Sequence, residues 1–243
     1  MHQFFIDPQT IRGETAMITG PEAHHLQAVL RLAAGDRIRL FDGTGRVHEA
    51  VIIRMNRDGV KIRIVASETA ATAAMVPVHI GQGLLKGKKM DLLIQKANEL
   101  GIEVLAPFLS AHCEVRNRNP ERAERWQRIA LESCKQCGRP VPVACRPETD
   151  FAEVLAAGDD FDLKLIFWEH ERQRSLGSFF ERPAPVRSVK ALIGPEGGFS
   201  KGEVEQATAA GFIPVSLGQR ILRAETASLA AMAILQHRLG NLD

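Results

Sequence analysis

Ile193-Gly194-Pro195-Glu196-Gly197-Gly198-Phe199-Ser200 and, after one helix and a short strand, Leu217-Gly218-Gln219-Arg220-Ile221-Leu222-Arg223-Ala224-Glu225-Thr226-Ala227 are the stretches whose reading decides the fold. Each is a turn rich in backbone N–H and C=O groups that follows an apolar strand. Pro195 sets φ and cannot donate, while Gly197 and Gly198 can enter backbone regions closed to other residues or approach a ligand closely. Ser200-Lys201-Gly202-Glu203 has the Ser-x-x-Glu spacing of a capping box, which predicts a helix from Lys201 to about Ala210 with Gly211 just past its end. A strand end, a glycine turn and a helix start together form a ligand edge of an α/β sheet; the same pattern also suits a strand-to-helix turn that holds nothing.

The remaining sequence bounds what that edge can belong to. At 243 residues and 45% hydrophobic content, the chain has room for one large domain or two modest ones around a real core. Its longest apolar runs, such as Leu163 to Trp168 and Ala227 to Leu235, fall short of the ~18 residues a membrane span needs, and no basic segment followed by an apolar one opens the chain. A cytoplasmic location is the expectation. Cys113, Cys134, Cys137 and Cys145 are too few and too clustered for a disulfide framework. Cys134-x-x-Cys137 has the spacing of half a zinc site or a redox pair, but it has no second pair beside it, so packing of reduced thiols and no metal are expected. Net charge is +2, unevenly spread: residues 85–146 hold twelve Lys/Arg against seven Asp/Glu, and residues 147–243 hold ten against fourteen. A basic middle suits a polyanionic partner as well as an ordinary solvated face.

Residues 1–67 read as a small β-rich domain. Strands are predicted at Phe4 to Ile6, Asp36 to Phe41, Arg46 to Arg54 and Val60 to Val65, with a helix from Pro21 to Leu30 and glycine turns at Asp42 to Gly45 and Asn56 to Gly59. Short strands joined this way suggest a small barrel. Arg37, Arg39, Arg54, Arg57 and Arg63 alternate with apolar residues and should line a solvent face, open to phosphate but balanced by Asp36, Asp42, Glu49 and Asp58. Glu68 to Ala74 reads as a linker. From Val78 strand and helix patterns alternate to the end, as in an α/β domain with a largely parallel sheet.

Gly81-Gln82-Gly83-Leu84-Leu85-Lys86-Gly87-Lys88-Lys89 fits neither the phosphate-loop nor the dinucleotide spacing. The following helix should bury Met90, Leu93, Ile94, Ala97 and Leu100, end at Gly101, and leave Lys86, Lys89 and Lys96 exposed. Val104 to Phe108 is the next strand. Asn119-Pro120-Glu121 starts a helix whose buried stripe is Ala123, Trp126, Ala130, Cys134 and Cys137. Arg116, Arg118, Arg122, Arg125 and Arg128 stand on its other side, where guanidinium forks suit phosphate. Phe151 to Ala156 is a short helix, Asp162 to Trp168 a buried strand, and Glu169 to Arg187, with Pro183 and Pro185, an exposed loop. Lys190 to Ile193 feeds the glycine turn. The last helix, about Thr226 to Arg238, is apolar almost all round and should pack both on the sheet and on another subunit.

Six runs, in this order, resemble one known family: Met1 to Ile6, Gly20-Pro21-Glu22-Ala23-His24-His25-Leu26, Gln95-Lys96-Ala97-Asn98-Glu99-Leu100-Gly101, Glu132 to Arg139, and the two loops quoted above. It is the bacterial 16S ribosomal RNA uracil-N3 methyltransferases of the SPOUT superfamily. Gln219 and Ala224 sit at positions where that pattern also has Pro or Ser, and Thr, respectively. The resemblance spans the chain and implies an α/β fold: an N-terminal PUA-like RNA-binding β-barrel (residues 1–72) and a C-terminal trefoil-knotted methyltransferase domain (73–243) that acts as a homodimer. It implies S-adenosyl-L-methionine as cofactor, held by Ile193, Gly194, Pro195, Glu196, Gly197, Gly198, Leu217, Gly218, Arg220, Leu222 and Ala227 largely through backbone groups. Within the implied reaction, Arg223 suits stabilisation of the uracil anion, since a guanidinium donates and does not deprotonate. Glu225 and Glu196 are the nearest carboxylates for the N3 proton, and either can instead cap backbone N–H groups. Lys86, Lys89, Arg116, Arg118, Arg122, Arg125 and Arg139, with the barrel, are the expected contacts to 16S ribosomal RNA of the small subunit.

Overall fold

The computed structural model describes residues 3–70, 75–157, 160–179 and 186–242. The chain divides into two compact units, Met1–Ala73 with Leu131–Pro142, and Ala74–Ala130 with Val143–Asp243. In the first, β1 (Gln3–Phe5), β2 (Thr15–Ile18), β3 (Arg37–Phe41), β4 (Arg46–Asn56) and β5 (Gly59–Thr69) form one sheet in the order β1-β3-β4-β5-β2. Ile38, Leu40, Ile52, Val60 and Ile62 point inward with Phe4 and Ile18. Over them lies α1 (Gly20–His24), continued by a π-helical turn at His25–Val29 that buries Leu26. Alternation of apolar and polar residues specifies which face turns inward.

Two expectations change here. Thr15–Ile18 is a strand, paired antiparallel to β5, which its short mixed sequence did not signal. β5 runs through Glu68 and Thr69, so the linker starts no earlier than Ala70; β4 supplies pairing partners as far as Arg46↔Thr69, and pairing overrides weak β-propensity. Ala71 to Ala74 lie outside the described residues.

In the second unit every strand pairing is parallel: β6 (Val78–Gly83), β7 (Val104–Leu109), β8 (Ala144–Cys145), β9 (Thr149–Asp150), β10 (Leu163–Phe167), β11 (Val189–Ile193) and β12 (Ile213–Val215) run in the order β12-β10-β11-β6-β7-β8, with β9 beside β7. Both faces are covered. Val189, Ala191 and Ile193 of β11 face a core shared with α2 (Lys89–Glu99), α3 (Pro120–Cys137) and α6 (Ala224–Arg238). Leu192 faces the opposite core with Phe151 and Val154 of α4 (Phe151–Ala156) and Val204 and Ala207 of α5 (Lys201–Ala209). That double burial explains why β11 is an unbroken apolar run.

The last turns of α3 belong to the first unit, where Cys134 packs on Phe41 and Val47. Cys137 is exposed, so it leaves the expected buried stripe; it sits at the helix end beside Gly138, which has φ 80°. Between Glu169 and Arg187, Leu176–Phe179 forms a 3-10 turn with Leu176 and Phe179 buried, so apolar anchors pull part of that loop inward; Pro183 and Pro185 lie outside the described residues. α6 begins two residues earlier than expected and is buried along one side only, since Thr226 and Ile234 are exposed.

Candidate functional site

A cleft enclosing about 720 Å³ of space free of atoms opens where three neighbouring strands end. β10 runs out into Trp168-Glu169, β11 into Gly194-Pro195-Glu196 and Gly198, and β12 into Ser216 to Leu222, and these residues with Phe167, Ile193, Ala224 and Ala227 line it. Carboxyl ends of parallel strands are where open α/β sheets bind ligands, because loops diverge there and leave main-chain groups unpaired. Of the positions read from sequence as cofactor contacts, Ile193, Gly194, Pro195, Glu196, Gly198, Leu217, Gly218, Arg220, Leu222 and Ala227 all line it. Gly197 does not. It faces away, its carbonyl accepting from His112 Nδ1 at 3.0 Å, and a Cβ there would stand 2.7 Å from the His112 Cβ.

The first wall is shaped by local chemistry. Gly198 has φ 69° and donates to the Pro195 carbonyl at 3.0 Å, closing the turn. The capping box then starts α5: Ser200 Oγ accepts from the Glu203 amide at 3.3 Å, and Glu203 Oε2 accepts from the Ser200 amide at 2.8 Å. Gly211 closes that helix with φ 88°. From outside the loop, Gln82 of β6 donates through Nε2 to the Gly194 carbonyl at 3.2 Å and accepts from Ser228 Oγ of α6 at 2.6 Å. This buried amide ties the first loop to the last helix. Gly83 beside it has no room for a side chain, since a Cβ would lie 2.5 Å from Pro195 N.

The second wall runs from Leu217 into α6. Gly218 has φ 111°, Ile221 is 79% exposed, and Arg223 is the exposed N-cap of α6. Arg223 and Glu225, the residues read as catalytic, do not line the cleft, although their neighbours Leu222, Ala224 and Ala227 do. Lys89, at the start of α2, places its Nζ 3.0 Å from Glu196 Oε1 and 3.1 Å from Glu225 Oε2. Glu196 Oε1 also accepts from the Lys86 amide at 3.2 Å. Burial pushes the Glu196 carboxyl up, yet its own amide, Lys89 and the Lys86 amide together hold it below the ordinary carboxylate value. The Glu225 carboxyl is held low mainly by its own backbone amide, with Lys89 and Arg223 adding to the effect. Contacts with Glu196 and Glu225 raise Lys89 in return. Three polar atoms here are buried without a hydrogen-bond partner among the described residues: the Trp168 Nε1 donor and the Glu196 Oε2 and Glu225 Oε2 acceptors, the last of which faces Lys89 as an ion pair only. Such groups are costly unless something else satisfies them.

The basic positions are more committed than their spacing suggested. Lys86 Nζ sits 2.8 Å from Glu114, Arg118 Nη2 2.6 Å from Asp150, and Arg122 Nη1 2.8 Å from buried Glu148. Arg125 pairs with Asp91, and Arg116 donates to the Ala111 carbonyl at 3.1 Å. Lys96 is taken by Glu99 at 2.8 Å. Arg139 is half-buried, its carbonyl accepting from Gln3 Nε2 at 3.5 Å. Sequence reading missed Trp168, Glu169 and Gln82. Nothing local marks them: Trp168 and Glu169 matter because β10 ends beside β11 and β12, and Gln82 because Ser228 arrives from 146 residues away.

Residues 72–236 match the RNA methyltransferase domain family and residues 18–65 the RNA methyltransferase PUA domain. The ribosomal RNA small subunit methyltransferase E of Buchnera aphidicola (Schizaphis graminum) is 32% identical over 90% of this chain and 89% of its own. That of Bacillus subtilis is 29% identical over 98% and 97%. A crystal structure of the Neisseria gonorrhoeae enzyme of that name, bound to S-adenosyl methionine, superposes with a TM-score of 0.86 at 33% identity, covering 98% of this chain and 97% of its own. With cleft, sheet and sequence in agreement, the chain belongs to the ribosomal RNA small subunit methyltransferase E family of RNA methyltransferases.

Proposed function

We propose that the chain transfers a methyl group from S-adenosyl-L-methionine to N3 of a uridine in 16S ribosomal RNA. The observation that carries this reading is the main-chain-lined cleft at the carboxyl ends of β10, β11 and β12. Its chemistry fits the cofactor. Glycine at 194 and 198 keeps the floor open, the Trp168 Nε1 donor and Glu196 Oε2 acceptor lack partners, and the apolar part of the lining suits an adenine ring. Bound S-adenosylmethionine supplies an electrophilic methyl group on a sulfonium centre.

The chain's own residues hold the geometry and the charge. The two loops orient the cofactor so that an in-line approach is already set, which removes entropy from the barrier. Arg223, exposed at the rim, donates to uracil O2 or O4 as negative charge builds when N3 gives up its proton to solvent. Glu225 is the nearest carboxylate on the same helix end. Bound to Lys89 and held ionised, it is a weaker base than a free carboxylate, so its main contribution is to fix the start of α6 and with it Arg223.

Residues 1–72 serve as the RNA-binding PUA-like barrel and 73–243 as the methyltransferase domain, knotted around the cofactor site and paired as a homodimer in the cytoplasm. Support for pairing comes from α6, where Ile234 is 39% exposed beside half-buried Ala230 and Ala233. Lys86, Arg116, Arg118, Arg122, Arg125 and Arg139 remain the proposed RNA side, with phosphate competing against the carboxylates most of them face, whereas Lys89 is held between Glu196 and Glu225. The test is Arg223→Ala, with S-adenosylmethionine affinity measured by calorimetry and methyl transfer to 16S ribosomal RNA by radiolabel. Turnover falls by two orders of magnitude or more, about 3 kcal/mol, while affinity changes less than about threefold. Normal turnover removes Arg223 from the chemistry.

A further inference from the structure

We propose that Lys89 is a positioning residue that locks the two walls of the cleft to each other by holding Glu196 of one and Glu225 of the other on a single ammonium. The inference rests on the reading of the cleft as the cofactor site, and it takes Lys89 out of the set of free phosphate contacts.

The two loops come from distant parts of the fold. Glu196 lies in the turn after β11, and Glu225 is the second residue of α6. Two carboxylate oxygens that sit 3.0 and 3.1 Å from one nitrogen lie within about 6 Å of each other, where like charges repel appreciably. Lys89 converts that repulsion into two attractions, a hydrogen bond to Glu196 and an ion pair with Glu225. It is itself fixed by its place at the start of α2, whose Met90, Leu93 and Ile94 are buried and which packs on α6. A group anchored this way sets where both loops stand. Lys86 reinforces one side through its amide on Glu196 while its ammonium is engaged by Glu114; Arg223 adds positive charge on the other side, close to Glu225. A lysine reaching for phosphate would instead point to solvent with one loose partner or none.

The titration of the trio agrees. Both carboxylates are held below their ordinary value of 4.5 and the ammonium above its ordinary 10.5. Their contribution to stability is therefore fully present above pH 4.5 and is lost as pH falls through the depressed carboxylate values; at the other end the lysine's share is fully present below pH 10.5 and is lost as pH rises through its raised value.

The experiment compares the whole chain with Lys89→Met and Lys89→Arg. Hydrogen exchange of the ligand-free protein follows the amides of residues 194–198 and 222–227, calorimetry gives the Kd for S-adenosylmethionine, and melting is followed against pH. Lys89→Met should speed exchange in both stretches together and raise the Kd by about tenfold. Its melting temperature should converge on that of the wild type as pH drops below 4.5. Lys89→Arg should restore most of the affinity. Combining Lys89→Met with Glu225→Gln should be little worse than the worse single change, because both break one link. The salt dependence of RNA binding should not change. Unchanged exchange in either stretch, or an unaltered Kd with a shallower salt slope, overturns the clamp, the latter in favour of a phosphate contact. A wild-type chain that binds no S-adenosylmethionine removes the cofactor reading, and the exchange comparison still decides the clamp.

Discussion

At position 198 a hydrogen in place of a methyl group keeps the cleft open. A Cβ built there would meet Glu169 Oε1 at 2.3 Å, and the backbone φ of 69° is one that branched residues avoid. Gly198→Val should therefore abolish S-adenosylmethionine binding by calorimetry and lower the melting temperature through the strained φ, while circular dichroism still shows the native fold; unchanged affinity would take this loop out of the site. The need for glycine at 198 was legible because a turn is a local event, written in Pro195, Gly197 and Gly198 themselves. Gln82 was not. Its Gly-Gln-Gly neighbourhood looked like a failed phosphate loop, whereas it is the end of β6, and its value comes from partners at Gly194 and Ser228. The same holds for the arginines: their spacing on α3 was visible, but Glu148, Asp91 and Asp150, which engage them, come from other elements.

Among the elements, α5 was the one most fully legible, start, stop and capping box alike, because its signals are contiguous. Ser200 and Glu203 exchange hydrogen bonds, and Glu203 Oε1 also accepts from the Ala111 amide at 2.9 Å, so the cap fixes the helix and a neighbouring loop together. Ser200→Ala should cost about 1 kcal/mol, read as a melting temperature lower by ~2–4 °C. No change would mean that Glu203 alone holds the start of the helix. Elements whose limits depend on pairing or burial were misjudged instead. β5 extends because β4 runs alongside it, and Leu176–Phe179 turns inward because two apolar side chains find the core.

For the whole molecule, alternation of strand and helix after Val78 was enough to foresee a parallel sheet, and the ligand edge followed from where its strands end. The knot proposed for the methyltransferase domain has no local signature in the sequence, since topology rules treat such threading as a rare exception. The net charge of +2 concealed how many cations are already engaged within the fold. What joins these scales is the claim that the cleft delivers a methyl group to one uracil nitrogen. Nucleoside mass spectrometry of 16S ribosomal RNA from a strain lacking this chain tests it most directly. Loss of a single N3-methylated uridine is expected, restored by the wild-type chain and not by Gly198→Val. Loss of a different base or ribose methylation, or an unaltered set of modifications, would contradict it.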